Sequence, residues 1–195
     1  MFEVLYQYFS RQMPLTPEQF RPVHDLFIPR SFERNELILR EGEVPKYGAF
    51  VCKGCLRSYV VDKKGKEHVL QFAPENWWLA DIDNLVQKKP TEIFIDAIEP
   101  SDVLLIDVVS FQKLMEQLPG LSQSFQAGQQ RHTAAKDKRI IASLTATAEE
   151  RYKQFLNTYP SIALRVPLHM LASYLGISPE TLSRIRKKWS RSNRE

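Results

Sequence analysis

No stretch of this sequence approaches the roughly 18 consecutive apolar residues that a membrane-crossing helix needs. The opening, MFEVLYQYFSRQM, also lacks the basic segment, apolar run and small-residue cleavage site of a secretory leader. A cytoplasmic location with no membrane partner is therefore expected. Cysteine occurs only at Cys52 and Cys55, which excludes a disulfide framework. The pair spells CxxC, half a zinc site or a redox pair, yet no second pair completes it, and an iron–sulfur cluster would need four thiolates. His24, His68, His132 and His169 are scattered, with no His-x-His to build a cupin-type metal site. His68 has charged neighbours and reads as an exposed strand residue, not a haem ligand. With 7 glycines in the chain there is neither a Gly-rich phosphate cradle nor a Gly-x-Ser-x-Gly nucleophile turn. These absences argue against an enzyme, a metal or a bound cofactor.

The residues that are present fit a globular protein: 195 in all, 43% of them hydrophobic, enough for one ordinary domain and a smaller one. The net charge of +4 is unevenly spread. Residues 1–130 carry 14 Lys and Arg against 18 Asp and Glu, a balance of −4, whereas residues 131–195 carry 13 against 5, a balance of +8. A basic C-terminal third points to a polyanionic partner there, or simply to a solvated face.

In LTPEQFRPVHDLF, Thr16 is placed to cap a helix, with Pro17 at its first position, Gln19 at the third, and Phe20, Val23 and Phe27 at helical spacing. From Ile28 the pattern changes to short apolar runs: ELILREG, YGAFVCKG, CLRSYVVDKKG, KEHVLQFAPEN, TEIFIDAIEPSD and VLLIDV. Gly54 and Gly65 sit where hairpins would turn, and strands recurring every 8 to 12 residues predict an antiparallel barrel or sandwich. Helical spacing resumes with SFQKLMEQL, is broken at Pro119 and Gly120, and continues in a longer segment. There Leu121, Phe125, Gly128, His132, Ala135 and Arg139 form a narrow seam that fits either a second copy of the helix or the chain's own barrel. TATAEERYKQFLNTYP follows as another helix, capped near Thr145 or Thr147 and stopped before Pro160.

LASYLGISPETLSRIRKK, Leu171 to Lys188, holds the most constrained pattern. Leu171, Leu175, Ile177, Leu182 and Ile185 are apolar where two crossing helices must bury side chains. Ala172 is small where the helices approach, and Gly176 can take the positive φ that ends the first helix. Ser178 caps the second helix, Pro179 fits its first position, and Glu180 favours its positive end. This punctuation predicts a helix-turn-helix; a purely structural helix pair is the alternative. The outer side of the second helix presents Pro179, Glu180, Ser183, Arg184, Lys187 and Lys188. Arg184 can bond bidentately to a guanine edge, and Glu180 can accept from cytosine or merely serve the helix dipole. Arg186, Lys187, Lys188 and Arg191 can neutralise phosphates.

A leading helix, a β-roll, a long helix and a terminal helix-turn-helix together resemble the Crp/Fnr family of transcription regulators. GISPETLSRIRKKW is similar to that family's recognition helix, with Ser178, Glu180, Thr181 and Arg184 in matching order, and RSYVVDKKGKEHVLQFAPENWW resembles the hairpins of its sensor domain. The resemblance implies an α+β chain: an N-terminal antiparallel jelly-roll sensor over residues 1–118, a long dimerisation helix over 119–144 and a helix-turn-helix domain over 145–195. It further implies a homodimer on a palindromic operator in double-stranded DNA, half-sites about 34 Å apart, and RNA polymerase as a partner.

Departures from the family pattern matter as much. Cyclic-nucleotide binders hold the phosphate with a Gly-Glu pair followed by Arg and Ser or Thr. Here the corresponding places read Leu79, Ala80 and Asp81, then Pro90, Thr91 and Glu92, with Lys88 and Lys89 compensating only loosely. Tight cyclic-AMP binding is not expected; Trp77, Trp78, Asp81 and Thr91 could line an altered effector pocket, or the tryptophans could be core. Pro167 and Leu168 replace polar phosphate contacts, and Pro179 removes one base reader, so the operator should differ from that of the cyclic-AMP receptor. Two rival readings are a cupin-like β-roll enzyme and a sensor module whose helical end binds protein.

Overall fold

Alternation along the strands builds the layers of the β-rich half. The computed structural model describes residues 1–192, excluding the side chains of Ser124, Gln129, Arg131, His132, Ser190, Arg191 and Ser192; the expectations for His132 and Arg191 thus fall outside the described side chains. In β3 (Gly48–Lys53), Ala49 and Val51 turn to one side, Phe50 and Cys52 to the other. In β8 (Ser101–Ile106), Val103 and Leu105 oppose Leu104 and Ile106 in the same way. Both faces of these strands are covered, which is why the sequence reads there as near-continuous apolar runs instead of a clean alternation.

The strands form two antiparallel sheets. One has the order β1 (Ile28–Phe32), β8, β3, β6 (Trp78–Leu79); the other has β2 (Leu37–Leu39), β7 (Phe94–Ala97), β4 (Leu56–Val61), β5 (Glu67–Ala73). Ala49 pairs with Leu105 across the first sheet and Leu56 with Ala97 across the second. Their inward residues, including Leu39, Val51, Leu56, Ile95 and Val103, fill the roll. Each fully buried side chain of this size contributes about 1.5–3 kcal/mol relative to exposure. The tight turn between β3 and β4 demands glycine: Gly54 has φ +86°, and a Cβ there would lie 2.6 Å from the Pro100 carbonyl oxygen.

Helices cover the outer face of the first sheet. α1 (Phe2–Ser10) buries Leu5 and Phe9 in a cluster with Phe50, Leu104, Leu114 of α4 (Val108–Gln117) and Leu121 of α5 (Gly120–Thr145). α2 (Pro17–Phe20) carries the expected capping box, Thr16 with Gln19, and gives way to a 3-10 stretch, Arg21–Leu26, with Pro22 as its second residue. The outer face of the second sheet is covered by α6 (Ala148–Thr158), α7 (Leu168–Leu175) and α8 (Pro179–Ser192) through Val69 and Phe72 of β5. α6 begins at Thr147 with a capping box to Glu150.

Three elements were not legible in the sequence. α1 has no side-chain cap at Met1, so burial of Leu5 and Phe9, not local punctuation, defines it. β1 contains Pro29, tolerated because this strand forms a sheet edge where a missing N–H breaks no ladder. α3 (Ile82–Gln87) is a short helix ended by Lys88 in the left-handed region.

Candidate nucleic-acid interface

The turn between α7 and α8 forms as its residues dictate. Gly176 adopts φ 65°, ψ 37°; the Ile177 N–H donates to the Ala172 carbonyl at 3.0 Å and the Gly176 N–H to the Ser173 carbonyl at 3.1 Å. This pair of bonds is the glycine-terminated helix end that satisfies otherwise orphaned carbonyls. Ser178 then caps α8, its Oγ accepting from the Thr181 N–H at 3.2 Å. Leu171, Ala172, Leu175, Leu182 and Ile185 are buried together and Ile177 is half-buried, so the apolar residues that predicted the motif are those that hold it closed.

With Leu182 and Ile185 turned inward, Ser178, Pro179, Glu180, Arg184, Lys187 and Lys188 are exposed on α8, and Thr181 and Ser183 are half-buried. The Glu180 carboxyl is held below its usual range by hydrogen bonds from its own backbone N–H and from Ser178. Arg184 Nη2 lies 3.4 Å from Thr181 Oγ1, one turn back, and the residue remains exposed. Two of the expected phosphate contacts are engaged within the protein. Arg186 donates to the Ala163 carbonyl at 3.0 Å and lies over the Tyr152 ring, so it ties α8 to α6 and the loop that follows α6. Lys188 donates to both Glu149 carboxylate oxygens, at 2.8 and 3.0 Å.

The helix-turn-helix is seated on the second sheet of the roll. β5 is an edge strand, and an open edge leaves backbone donors and acceptors unpaired. Ser173 of α7 closes it: its Oγ accepts from the Val69 N–H at 3.0 Å and donates to the Glu67 carbonyl at 2.8 Å. Arg139 of α5 completes the closure by donating to the carbonyls of Val69, Tyr174 and Leu70, while its guanidinium lies 4.0 Å from the Tyr174 ring centroid. Phe72, Phe155, Tyr159 and Tyr174 fill the seam with tilted and edge-on ring contacts. Arg165, in the loop before α7, bridges Glu75 and Glu99 of the sensor. None of this docking was read from the sequence; the serine in ASYLG carries no signal for a partner a hundred residues away.

Of the two partners that the α5 seam fits, the chain's own barrel takes three positions. Leu121 is fully buried among the α1 and α4 side chains, Phe125 packs on Trp78 and Phe111, and Arg139 belongs to the β5 closure. These three positions therefore serve the chain's own barrel. The apolar side chains that α5 leaves uncovered are Ile140, Ile141 and Leu144, the last 81% exposed.

The altered cassette is brought together only in part. Thr91, buried, donates its hydroxyl to Asp81 Oδ2, and Asn84 Nδ2 donates to the same oxygen at 2.9 Å. The Asp81 carboxylate thus takes up both donors. Trp77 and Trp78 do not join them. Trp77, at the end of the turn before β6, packs on Tyr159 under the C-terminal helices, whereas Trp78, the first residue of β6, packs on Phe27, Phe50 and Phe125 on the other side of the roll. The tryptophan-lined pocket is therefore replaced by two core contacts. Cys52 and Cys55 separate in the same way, one into each outer cluster, and burial pushes the Cys52 thiol up to about 11 and Cys55 higher still. Neither is a reactive thiolate at neutral pH. Among the described residues no cluster of His, Cys, Asp and Glu could hold a metal ion, and no helix is long and apolar enough to cross a membrane.

Fold and site together define a class: a cyclic-nucleotide-binding type of β-roll, a long helix and a terminal helix-turn-helix with an exposed second helix. Residues 29–118 match the family model of the cyclic nucleotide-binding domain. Over 149 residues, 71% of this chain, the sequence is 22% identical to the transcriptional regulatory protein btr of Bordetella pertussis (strain Tohama I), and the match spans 61% of that relative's length. Among solved structures, FixK2 from Bradyrhizobium japonicum superposes with a TM-score of 0.74 at 21% identity, covering 86% of both chains. The catabolite activator protein of Thermus thermophilus gives 0.57 at 20% identity, covering 92% of this chain and 86% of that one. A CooA mutant from Carboxydothermus hydrogenoformans gives 0.69 at 14%, covering 94% and 83%. The resemblance to the Crp/Fnr family is borne out in the fold, with the α+β architecture expected of it, and residues 29–118 are similar to the cyclic nucleotide-binding domain.

Proposed function

We propose that this chain is a DNA-binding transcription regulator that places α8 in the major groove and binds a palindromic operator as a homodimer. One observation carries the reading: α8 is pinned through Leu182 and Ile185, while Glu180, Arg184 and Lys187 remain outward on the face that a duplex would meet. Arg184 reads a guanine, Ser178, Thr181 and Ser183 supply hydroxyls near the helix start, and Lys187 with Lys188 meets phosphate once Lys188 leaves Glu149. Pro179 contributes shape but no donor.

In this reading residues 1–118 are the sensor, 119–144 the dimerisation helix and 145–195 the DNA-binding domain. Ile140, Ile141 and Leu144 supply an apolar stripe at the C-terminal end of the long helix for a second copy. The protein is cytoplasmic, works with RNA polymerase and catalyses no reaction. Cyclic AMP is not its effector, because the Asp81 carboxylate already accepts from Thr91 and Asn84 and would repel a phosphate. Selection of bound fragments from a random duplex pool tests the whole proposal. It should return a two-fold symmetric sequence with half-sites about one helical turn apart; recovery of no preferred sequence at low ionic strength would overturn it.

A further inference from the structure

The β4–β5 hairpin carries Lys63, Lys64 and Lys66 within four residues, all exposed, and none is ion-paired among the described residues. The acidic groups around them are occupied. Asp62 accepts from the Lys64 and Lys66 backbone N–H groups at 2.8 and 3.1 Å and from His68 at 2.9 Å, contacts that hold its carboxyl down to about 2. Glu67 is paired with Arg57 at 2.6 Å, and Arg57 is in turn held bidentately by the buried Asp96. The tip is therefore a stiff turn, closed by its own carboxylate, that directs three ammonium groups outward.

Its position follows from the docking of α7. Ser173 bonds both Glu67 and Val69, so the last lysine of the tip precedes a residue that touches α7 by about 3.8 Å of chain. The bend at Gly176 follows Ser173 by less than one helical turn of about 5.4 Å. The hairpin thus flanks the bend that leads into α8. Phe72, further along β5, lies against Phe155 and Tyr159 at the other end of the seam, so the tip projects past α7 on the side away from the C-terminal part of α6.

We infer that Lys63, Lys64 and Lys66 extend the DNA-binding surface, the sensor hairpin taking phosphates of the same duplex whose major groove receives α8. The inference rests on the DNA-binding reading. Lysines suit the task, since a flexible point charge neutralises phosphate without reading sequence. The sensor would then touch DNA directly, and any shift of β5 would change the electrostatic grip on the duplex as well as the seat of α7.

The test compares the full-length wild type with K63Q/K64Q/K66Q on the selected operator and on random duplex, across a salt series. Each lost phosphate contact lowers the slope of log affinity against log salt by about 0.9. The variant should therefore lose about 2 to 3 from the slope per bound protomer, with an unchanged ratio of operator to random affinity. The single variant K64Q, which cannot disturb the turn's backbone bonds, should lose about one. Wild-type slopes in both variants would overturn the inference and leave DNA binding by α8 intact, whereas a wild-type protein that binds no duplex removes the reading beneath it. Wild-type DNA slopes combined with lost transcription by purified RNA polymerase would assign the lysines to a protein partner and also overturn it.

Discussion

Replacing Ser173 with alanine tests how firmly the helix-turn-helix sits on the sensor. The hydroxyl accepts the Val69 N–H and donates to the Glu67 carbonyl, and Val69 is 1% exposed while Glu67 is half-buried. In Ser173→Ala the Glu67 carbonyl can turn to water, but the Val69 N–H is left without a partner behind α7. A buried orphan donor costs about 1–3 kcal/mol. Alanine returns about 0.5 kcal/mol through its better helix propensity, leaving a net loss of about 0.5–2.5 kcal/mol. Amide exchange at Val69, followed by NMR, should accelerate by about 2- to 70-fold, since 1.4 kcal/mol is tenfold. Amides of β3 and β8, on the opposite sheet, should change much less. If Val69 exchanges at the wild-type rate in the variant, α7 does not cap the β5 edge in solution, and the placement of the hairpin beside the bend fails with it.

Arg184→Ala should cost about 1–3 kcal/mol on the selected operator and relax preference at one base pair, measured by competition with single-base variants; equal loss on every duplex would make Arg184 a phosphate contact. Titration calorimetry with cyclic AMP should give no saturable heat at micromolar ligand, and a micromolar dissociation constant would mean that the Asp81–Thr91 arrangement yields to phosphate. Acid should loosen the contact between sensor and C-terminal helices. Burial pushes the Glu75 carboxyl up, but the Arg165 guanidinium outweighs burial and holds it below the usual carboxylate range. With the folded value below the unfolded one, the stabilisation is present above the ordinary carboxylate range and is lost as pH falls through the lowered value; Arg165→Gln should flatten that part of a stability–pH profile.

How much of the molecule could be read in advance depended on how local its causes are. The capping boxes at Thr16 and Thr147, the glycine-ended α7 and the Ser178 cap all involve residues within five positions of one another, so spacing alone announces them. The exposed face of α8 follows from the same arithmetic, because fixing Leu182 and Ile185 inward fixes Arg184 outward. What spacing cannot say is where a side chain ends when its partner lies far along the chain. Trp77 and Trp78 looked like one feature and belong to two cores, since Trp77 ends the turn before β6 and packs under the C-terminal helices while Trp78 starts the strand and faces the other cluster. Leu121, Phe125 and Arg139 formed a seam that fitted either a second chain or the barrel, and the barrel holds these three.

The sequence by itself determined an antiparallel barrel or sandwich, the long helix, the bend at Gly176 and the character of α8, through periodicity and the conformational limits of glycine, proline and the capping residues. Only the tertiary structure decided that α7 closes the edge of β5 through Ser173 and Arg139, and that Thr91 and Asn84 both donate to Asp81. The reason is that hydrogen bonds to backbone groups leave no signature in the residue that supplies the backbone: nothing in the identity of Val69 or Glu67 foretells a serine from another domain.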